Sequence, residues 1–326
     1  MITNLTKDDM QKIVNIRDII DANEEALKIY SSKKSVTPLR LNLDVAKNNG
    51  QSLYMPAYAN GDEVQALGIK IVSVYSDNPS KYNLPAVPAT MILQDPKTGV
   101  VRCIMDGTYL TQLRTGALSG LATKYLARED ASVLLQVGVG GQARSQIDAV
   151  LAVRDIKKVY LASRDMYNSK EFAKKMTSIY PNVVFEAVEN ANDVVAKADI
   201  ITLVTTSKTP VIDGSLINEG THINSMGSYT PDMQETPKEV LTKSSKIYFD
   251  TYEGVIEESG DVIIPIRSGE FDKKKITGEL GEILLKNKPS RENSKEITWF
   301  KSTGSAILDV VAAQKIYDKY LNTTEL

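Results

Sequence analysis

Near the amino terminus the apolar residues Val14, Ile19, Ile20, Ala26, Leu27 and Tyr30 recur close to the helical period. With Asp8 and Asp9 ahead of them, they predict one helix over the first thirty residues. From Thr37 to about Val101 the pattern turns to short β-like runs, among them Leu39 to Leu43, Ala66 to Tyr75 and Ala89 to Gln94. Asp95-Pro96-Lys97-Thr98-Gly99 reads as a tight turn closing a hairpin, since Pro sets φ early in the turn and Gly relaxes its exit. Residues 37–107 are therefore expected to be β-rich. Between Thr111 and Ala127 the set Leu113, Ala117, Leu118, Leu121, Ala122, Tyr125 and Leu126 follows one helical face, predicting a helix that links two domains.

The grammar then changes. Val133 to Val137 is a continuous apolar run followed by glycines and by a helical pattern through Ala143, Ile147, Val150 and Leu151. Strand Lys158 to Leu161, helix Ser169 to Ile179, strand Val183 to Ala187, helix Ala191 to Ala198 and strand Asp199 to Thr205 repeat the alternation. His222 to Ser225, Lys246 to Asp250 and Val262 to Ile266 are candidate late strands. Strands alternating with helices predict an α/β fold with a doubly wound parallel sheet covered on both faces. The tail, Ser302 to Tyr320, returns to helix and is expected to pack on the first domain.

Length and composition narrow the chemistry. The chain has 326 residues, enough for about two domains. Its 39 basic and 41 acidic side chains give a net charge of -2, which offers no long-range attraction to nucleic acid. Cys103 is the only cysteine, so an intrachain disulfide or a Cys-X-X-Cys pair is excluded and a reducing cytoplasm fits best. His222, the only histidine, supplies no two-histidine metal set; a structural role is expected of it, and no metal. The polar, acidic start MITNLTKDDM is unlike a signal peptide, and the apolar runs fall short of the ~20 residues of a membrane helix.

Gly138-Val139-Gly140-Gly141-Gln142-Ala143 matches G-x-G-x-x-(G/A). The first glycine permits a tight turn, the second lets backbone approach a pyrophosphate, and the small sixth residue lets the helix pack closely. A glycine turn joining any strand to any helix is the plainer alternative, but the flanking strand and amphipathic helix favour dinucleotide binding. After the second strand stand Ser163-Arg164-Asp165. A hydroxyl and a guanidinium suit a 2′-phosphate, which favours NADP(H), whereas Asp165 on the ribose would suit NAD(H). Thr205, Thr206 and Ser207 follow the fourth strand, where small residues suit the nicotinamide side.

Gly68-Ile69-Lys70, Leu93 to Gly99, Asp106 to Thr111, Leu113-Arg114-Thr115-Gly116-Ala117, Gly138 to Arg144, and Lys301-Ser302-Thr303-Gly304 with Asp309 together resemble the ornithine cyclodeaminase/mu-crystallin family over nearly the whole chain. The resemblance implies a Rossmann domain, residues 119–304, joined to an α+β substrate-binding and dimerisation domain built from residues 1–118 and 305–326. It implies a homodimer acting on a small amino or imino acid, with no nucleic acid or membrane partner. It also implies Thr115 and Met226 on the cofactor and Ser302 on the substrate.

The residues agree with that chemistry. An α-amino or α-imino acid needs its carboxylate fixed while a hydride moves at the next carbon, and a bidentate Arg does this best. Arg114 is the candidate, with Arg40 matching the family's second arginine less closely; an arginine tying elements together is the alternative. Lys70 lies in an apolar run where a charge is out of place unless it points into a polar cleft. Burial would lower its pKa and suit it to proton transfer, whereas on an edge strand it would face water. One departure is plain. Where cyclodeaminases carry an Asp, this chain has Tyr229 in Gly227-Ser228-Tyr229-Thr230-Pro231-Asp232, and Met233 replaces a lysine. A phenol is a poor base at neutral pH, and Asp232 is the nearest substitute. The expected activity is NAD(P)H-dependent reduction of Δ1-pyrroline-2-carboxylate or Δ1-piperideine-2-carboxylate. Ornithine cyclodeamination, an alanine-type dehydrogenase and a non-enzymatic ligand-binding protein are the alternatives.

Overall fold

The computed structural model describes residues 2–324. In chain order its first elements are β1 (Thr3–Leu5), α1 (Lys7–Ile13), α2 (Ile16–Ser31), β2 (Ser35–Val36), β3 (Leu41–Val45), β4 (Gly50–Asn60), β5 (Gln65–Tyr75), α3 (Asn78–Tyr82), β6 (Ala89–Gln94), β7 (Val101–Asp106) and α4 (Gly107–Leu126). There follow β8 (Val133–Val137), α5 (Ala143–Val153), β9 (Lys158–Ala162), α6 (Met166–Ile179), β10 (Val184–Val188), α7 (Asn192–Val195), β11 (Ile200–Leu203) and β12 (His222–Ser225). The last are α8 (Lys238–Lys243), β13 (Lys246–Phe249), α9 (Tyr252–Glu258), α10 (Gly260–Arg267), β14 (Gly278–Glu279), α11 (Leu280–Leu284), β15 (Thr298–Lys301) and α12 (Ala306–Thr324). Contacts divide the chain into two units: residues up to Arg114 together with those from Ser305 onward, and Thr115–Gly304.

The first unit holds a seven-stranded sheet in the order β1-β7-β6-β5-β4-β2, with β3 also paired to β4. The single amino-terminal helix expected from periodicity is a strand and two helices. Thr6 and Asn15 each cap a helix with a reciprocal capping box, so the chain restarts at Asn15 instead of running through. The 95–99 turn closes as expected: Asp95 accepts from Lys97 N through its side chain at 2.8 Å, and Gly99 takes φ of 74°. α12 packs on α2 and across β4, β5 and β6. Its Ile307, Leu308, Val310, Val311 and Ile316 are buried, at roughly 1.5–3 kcal/mol each.

The second unit is an eight-stranded, wholly parallel sheet in the order β10-β9-β8-β11-β12-β15-β13-β14. Strand order reverses between β8 and β11, the switch point outside whose carboxyl ends ligands bind in such sheets. β11, β12, β13 and β15 are buried at every position, as strands covered on both faces must be. One expectation is corrected here and one strand is added. Val262 to Ile266 lies in helix α10 despite Pro265, because a five-residue apolar run carries no period of its own and packing decides it. Thr298–Lys301 is a strand that periodicity did not single out, inserted between β12 and β13 with Trp299 edge-on to Phe249 at 6.1 Å. His222 is buried between Thr298 and Asn224, at 2.9 and 3.0 Å, and burial, with Arg291 nearby, pushes its pKa down to about 3. It is a neutral structural side chain.

Candidate active site

In the second unit β8 delivers the chain into the glycine turn. Gly138 takes φ of 100°, and a Cβ there would lie 2.5 Å from the Val204 carbonyl oxygen, so the position demands glycine. At Gly140 a Cβ would meet nothing within 4 Å, which leaves the turn open on the side a phosphate would approach. Gly141, Gln142 and Ala143 lead into α5, whose first amides are the anion-binding end of a helix. Gly116 has its own reason: α4 crosses α5 so closely that a Cβ would sit 2.2 Å from the Ser145 carbonyl oxygen. Thr115, beside it, is buried.

A cavity of about 950 Å³ opens from this turn, walled by Gly138, Val139, Gly140, Ser163, Arg164, Asp165, Thr205, Thr206 and Ser207. Met226 lies outside this wall, buried at the end of β12. Asp165 is turned onto α6: its carboxylate accepts from Tyr167 N at 2.9 Å and Asn168 Nδ2 at 3.0 Å. Ser163 Oγ donates to the Asp165 carbonyl at 2.8 Å, and Arg164 is exposed. A glycine cradle at a helix start, with an open side and a cavity beyond it, fits a dinucleotide.

The first unit holds the second constellation. β5 lies between β4 and β6, so Lys70 is on a central strand, not an edge. It stands between Met55 and Met91 in register and is 1% exposed. Its Nζ lies 2.8 and 2.7 Å from the two carboxylate oxygens of Asp309, on α12. Arg114 Nε donates to the same carboxylate at 2.9 Å. Among the described residues no hydrogen bond or ion pair engages Arg114's two terminal nitrogens. Asn23, itself fully buried, donates to the Arg114 carbonyl at 2.8 Å and fixes that turn of α4. Burial above all, then the charge of Arg114, pushes the Lys70 ammonium down to about 7; Asp309 opposes both, and Arg40 adds to the fall. Lys70, Arg114 and Arg40 thus share one electrostatic environment, organised by a carboxylate.

The remaining candidates lie elsewhere. Tyr229 is half-buried in the loop after β12. Asp232 is exposed and bound to Lys208 at 2.6 Å and Thr230 at 2.6 Å, and Lys208 holds its carboxyl below the usual range, making it a weak base. Ser302 belongs to the second unit, its hydroxyl donating to Asp250 at 2.6 Å. In the sequence Asp309 figures in the family pattern without a role of its own, and nothing there points to Asn23. The signal for Asp309 was present: one carboxylate inside the apolar stripe Ala306, Ile307, Val310, Val311. Among the described residues no cluster of His, Cys, Asp or Glu could hold a metal ion, and no helix is long and apolar enough to cross a membrane.

This geometry has close counterparts. The chain is 38% identical over 315 residues to a Δ1-pyrroline-2-carboxylate reductase of Bacillus cereus, covering 97% of this chain and 95% of that one. The structure of a Δ1-pyrroline-2-carboxylate reductase of Thermococcus litoralis, in complex with NADH and L-proline, superposes with a TM-score of 0.94 at 41% identity, covering 99% and 98% of the two chains. An archaeal alanine dehydrogenase dimer with bound NAD gives a TM-score of 0.90 at 32% identity, covering 99% and 97%. The profile of the ornithine cyclodeaminase/mu-crystallin family matches residues 3–324. With a glycine-cradled cavity in one unit, a buried lysine and arginine on one carboxylate in the other, and this match along its length, the chain belongs to the ornithine cyclodeaminase/mu-crystallin family.

Proposed function

We propose that the chain is an NAD(P)H-dependent reductase of cyclic imino acids, converting Δ1-pyrroline-2-carboxylate to proline and accepting the six-membered Δ1-piperideine-2-carboxylate. The observation that carries this reading is the buried lysine beside an arginine whose terminal nitrogens are uncommitted. Those nitrogens match a carboxylate in bidentate fashion. With Lys70 protonated, two cations share the single Asp309 carboxylate, so the group favours an anion. Lys70, brought near neutrality, exists in both protonation states where the reaction runs, as a proton donor to nitrogen should. The nicotinamide, when bound, supplies the hydride to C2. Lys70 gives the proton to the ring nitrogen, Arg114 with Arg40 holds the carboxylate, and Asp309 keeps Lys70 protonatable. No water needs activating and no ammonia leaves, so Tyr229 in place of an acidic residue is no obstacle. The Bacillus cereus and Thermococcus litoralis proteins carry the name of this activity, and the latter was solved with NADH and proline.

The reading extends to NADP(H) as the favoured cofactor. Ser163 and the exposed Arg164 line the cavity, while Asp165 spends its carboxylate on α6. R164A should lower kcat/KM for NADPH about tenfold and spare NADH. The chain is also proposed to be a homodimer. One face of the first sheet carries a row of Pro56, Ile69, Ile92 and Ile104 in register across four strands, Pro56 exposed and the three isoleucines partly exposed. Light scattering should give twice the chain mass.

The deciding assay follows nicotinamide absorbance with the cyclic imine plus NADH or NADPH, with alanine plus NAD⁺, and with ornithine. Rapid imine-dependent oxidation of the cofactor is expected. Ornithine converted to proline and ammonia without net cofactor turnover, or alanine oxidised faster than the imine is reduced, would overturn the proposal.

A further inference from the structure

Behind the loops that follow β11 and β12 lies a second buried charge cluster. Glu235 is fully buried, and its two oxygens hold two different loops. Oε2 accepts from Thr205 N at 2.7 Å and Thr205 Oγ1 at 3.0 Å; Oε1 accepts from Gly227 N at 2.6 Å and Ser228 N at 3.4 Å. Thr205 Oγ1 itself accepts from Ser207 N, at 3.3 Å, so its proton goes to Glu235. Every group facing the carboxylate is a donor, an arrangement made for the ionised form although burial pushes its pKa up. Asp261 orients Glu235 from behind, accepting from the amides of Glu235 and Thr236 at 2.8 and 2.9 Å, and pairs with the buried Lys301 of β15 at 3.0 Å. Gly227 is pressed so close that a Cβ would lie 2.0 Å from the Thr205 carbonyl oxygen.

These loops leave the carboxyl ends of the strands beyond the switch point, the half of such a sheet over which the nicotinamide of a dinucleotide lies. Thr205, Thr206 and Ser207 line the cavity. We infer that Glu235 is a positioning residue for hydride transfer: its carboxylate clamps the Thr205 and Gly227 backbones together and thereby sets the seat of the nicotinamide. It touches neither substrate nor hydride. The inference rests on the reading of the chain as a nicotinamide-dependent reductase.

The test is E235Q, whose amide keeps the shape but turns an N–H₂ toward one of two backbone N–H groups, so one loop loses its anchor. Binding of NADH is titrated by the emission of its nicotinamide, and turnover is measured with NADH and with NADH dideuterated at C4. Wild type should show enhanced, blue-shifted emission. E235Q should bind NADH within about threefold of wild type through the untouched glycine turn, with emission close to that of free cofactor. Its kcat should fall about 100-fold, as for a reacting atom misplaced by an ångström, with a larger isotope effect. Wild-type emission and isotope effect in E235Q would overturn the inference, as would loss of NADH affinity and melting temperature with the bound emission unchanged. Should E235Q fail to fold, T205V removes the hydroxyl's bond to Glu235 together with the one it accepts from Ser207 N, and is read the same way, wild-type emission again counting against. A wild-type protein that binds NADH but reduces no imine would refute the proposed activity while leaving the emission comparison decisive for Glu235.

Discussion

Replacing Asp309 by Asn removes the one carboxylate shared by Lys70 and Arg114 while keeping its shape. An ion pair at 2.7 Å contributes ~6 kcal/mol at an effective dielectric of ~20, or ~4 pKa units. Relaxation and water entry take back part of this, so a fall of ~2 units in the Lys70 pKa, from about 7 to ~5, is a conservative expectation. At pH ~7 the protonated fraction then drops from about one half to ~1%, a ~50-fold loss of the donor. A more acidic lysine is also a better donor, and a Brønsted slope near one half returns ~10-fold, leaving imine reduction ~5-fold slower. Because the equilibrium constant is unchanged, proline oxidation slows by the same factor. The larger signal is therefore the pH profile. Reduction needs protonated Lys70, so kcat/KM falls as pH rises through its pKa in the free enzyme. That alkaline limb should sit near 7 in the wild type and ~2 units lower in D309N. Any ionisation of the substrate is common to both proteins and cancels in the comparison. Folding should survive, since Lys70 can shed its charge instead of remaining buried and unpaired. A folded D309N whose limb stays where the wild type has it refutes the reasoning.

Three further substitutions separate the roles. K70M places a third methionine between Met55 and Met91 and leaves Asp309 paired with Arg114, so it should fold and bind NADH yet lose ~10³-fold in imine reduction, read by cofactor absorbance. R114K keeps a charge but loses the two-pronged grip, and steady-state kinetics should show KM for the imine rising ~10-fold or more with a smaller change in kcat. G138A forces a Cβ against the Val204 carbonyl at a φ of 100°. It should lower thermal stability by ~1–3 kcal/mol and weaken NADH binding in a fluorescence titration; unchanged affinity would count against the turn as the pyrophosphate seat.

Where side chains repeat with a clear period, or where backbone geometry demands one residue type, the sequence was a sufficient guide. β8 and β6 begin and end where their apolar runs do, and Gly138 and Gly99 occupy the left-handed backbone their motifs require. The first helix failed for a local reason: Thr6 and Asn15 are capping residues whose reciprocal partners, Asp9 and Asp18, divide one apolar pattern into two helices. Val262 to Ile266 and Thr298–Lys301 failed for a tertiary one. The five apolar residues of Val262 to Ile266 suit strand or buried helix equally, and Thr298–Lys301, apolar only at Trp299 and Phe300, is too short to show a period, so the neighbours each meets decide.

The sequence by itself therefore determined the parallel sheet, the glycine turn, a lysine out of keeping with its apolar run, and an arginine suited to a carboxylate. Only the tertiary structure decided that 239 positions of chain separate Lys70 from the carboxylate that governs it, and 195 separate that carboxylate from Arg114. A pKa depends on burial and on charges a few ångströms away, and neither is written in local order. The same holds for Glu235, which folding surrounds with donors from two loops.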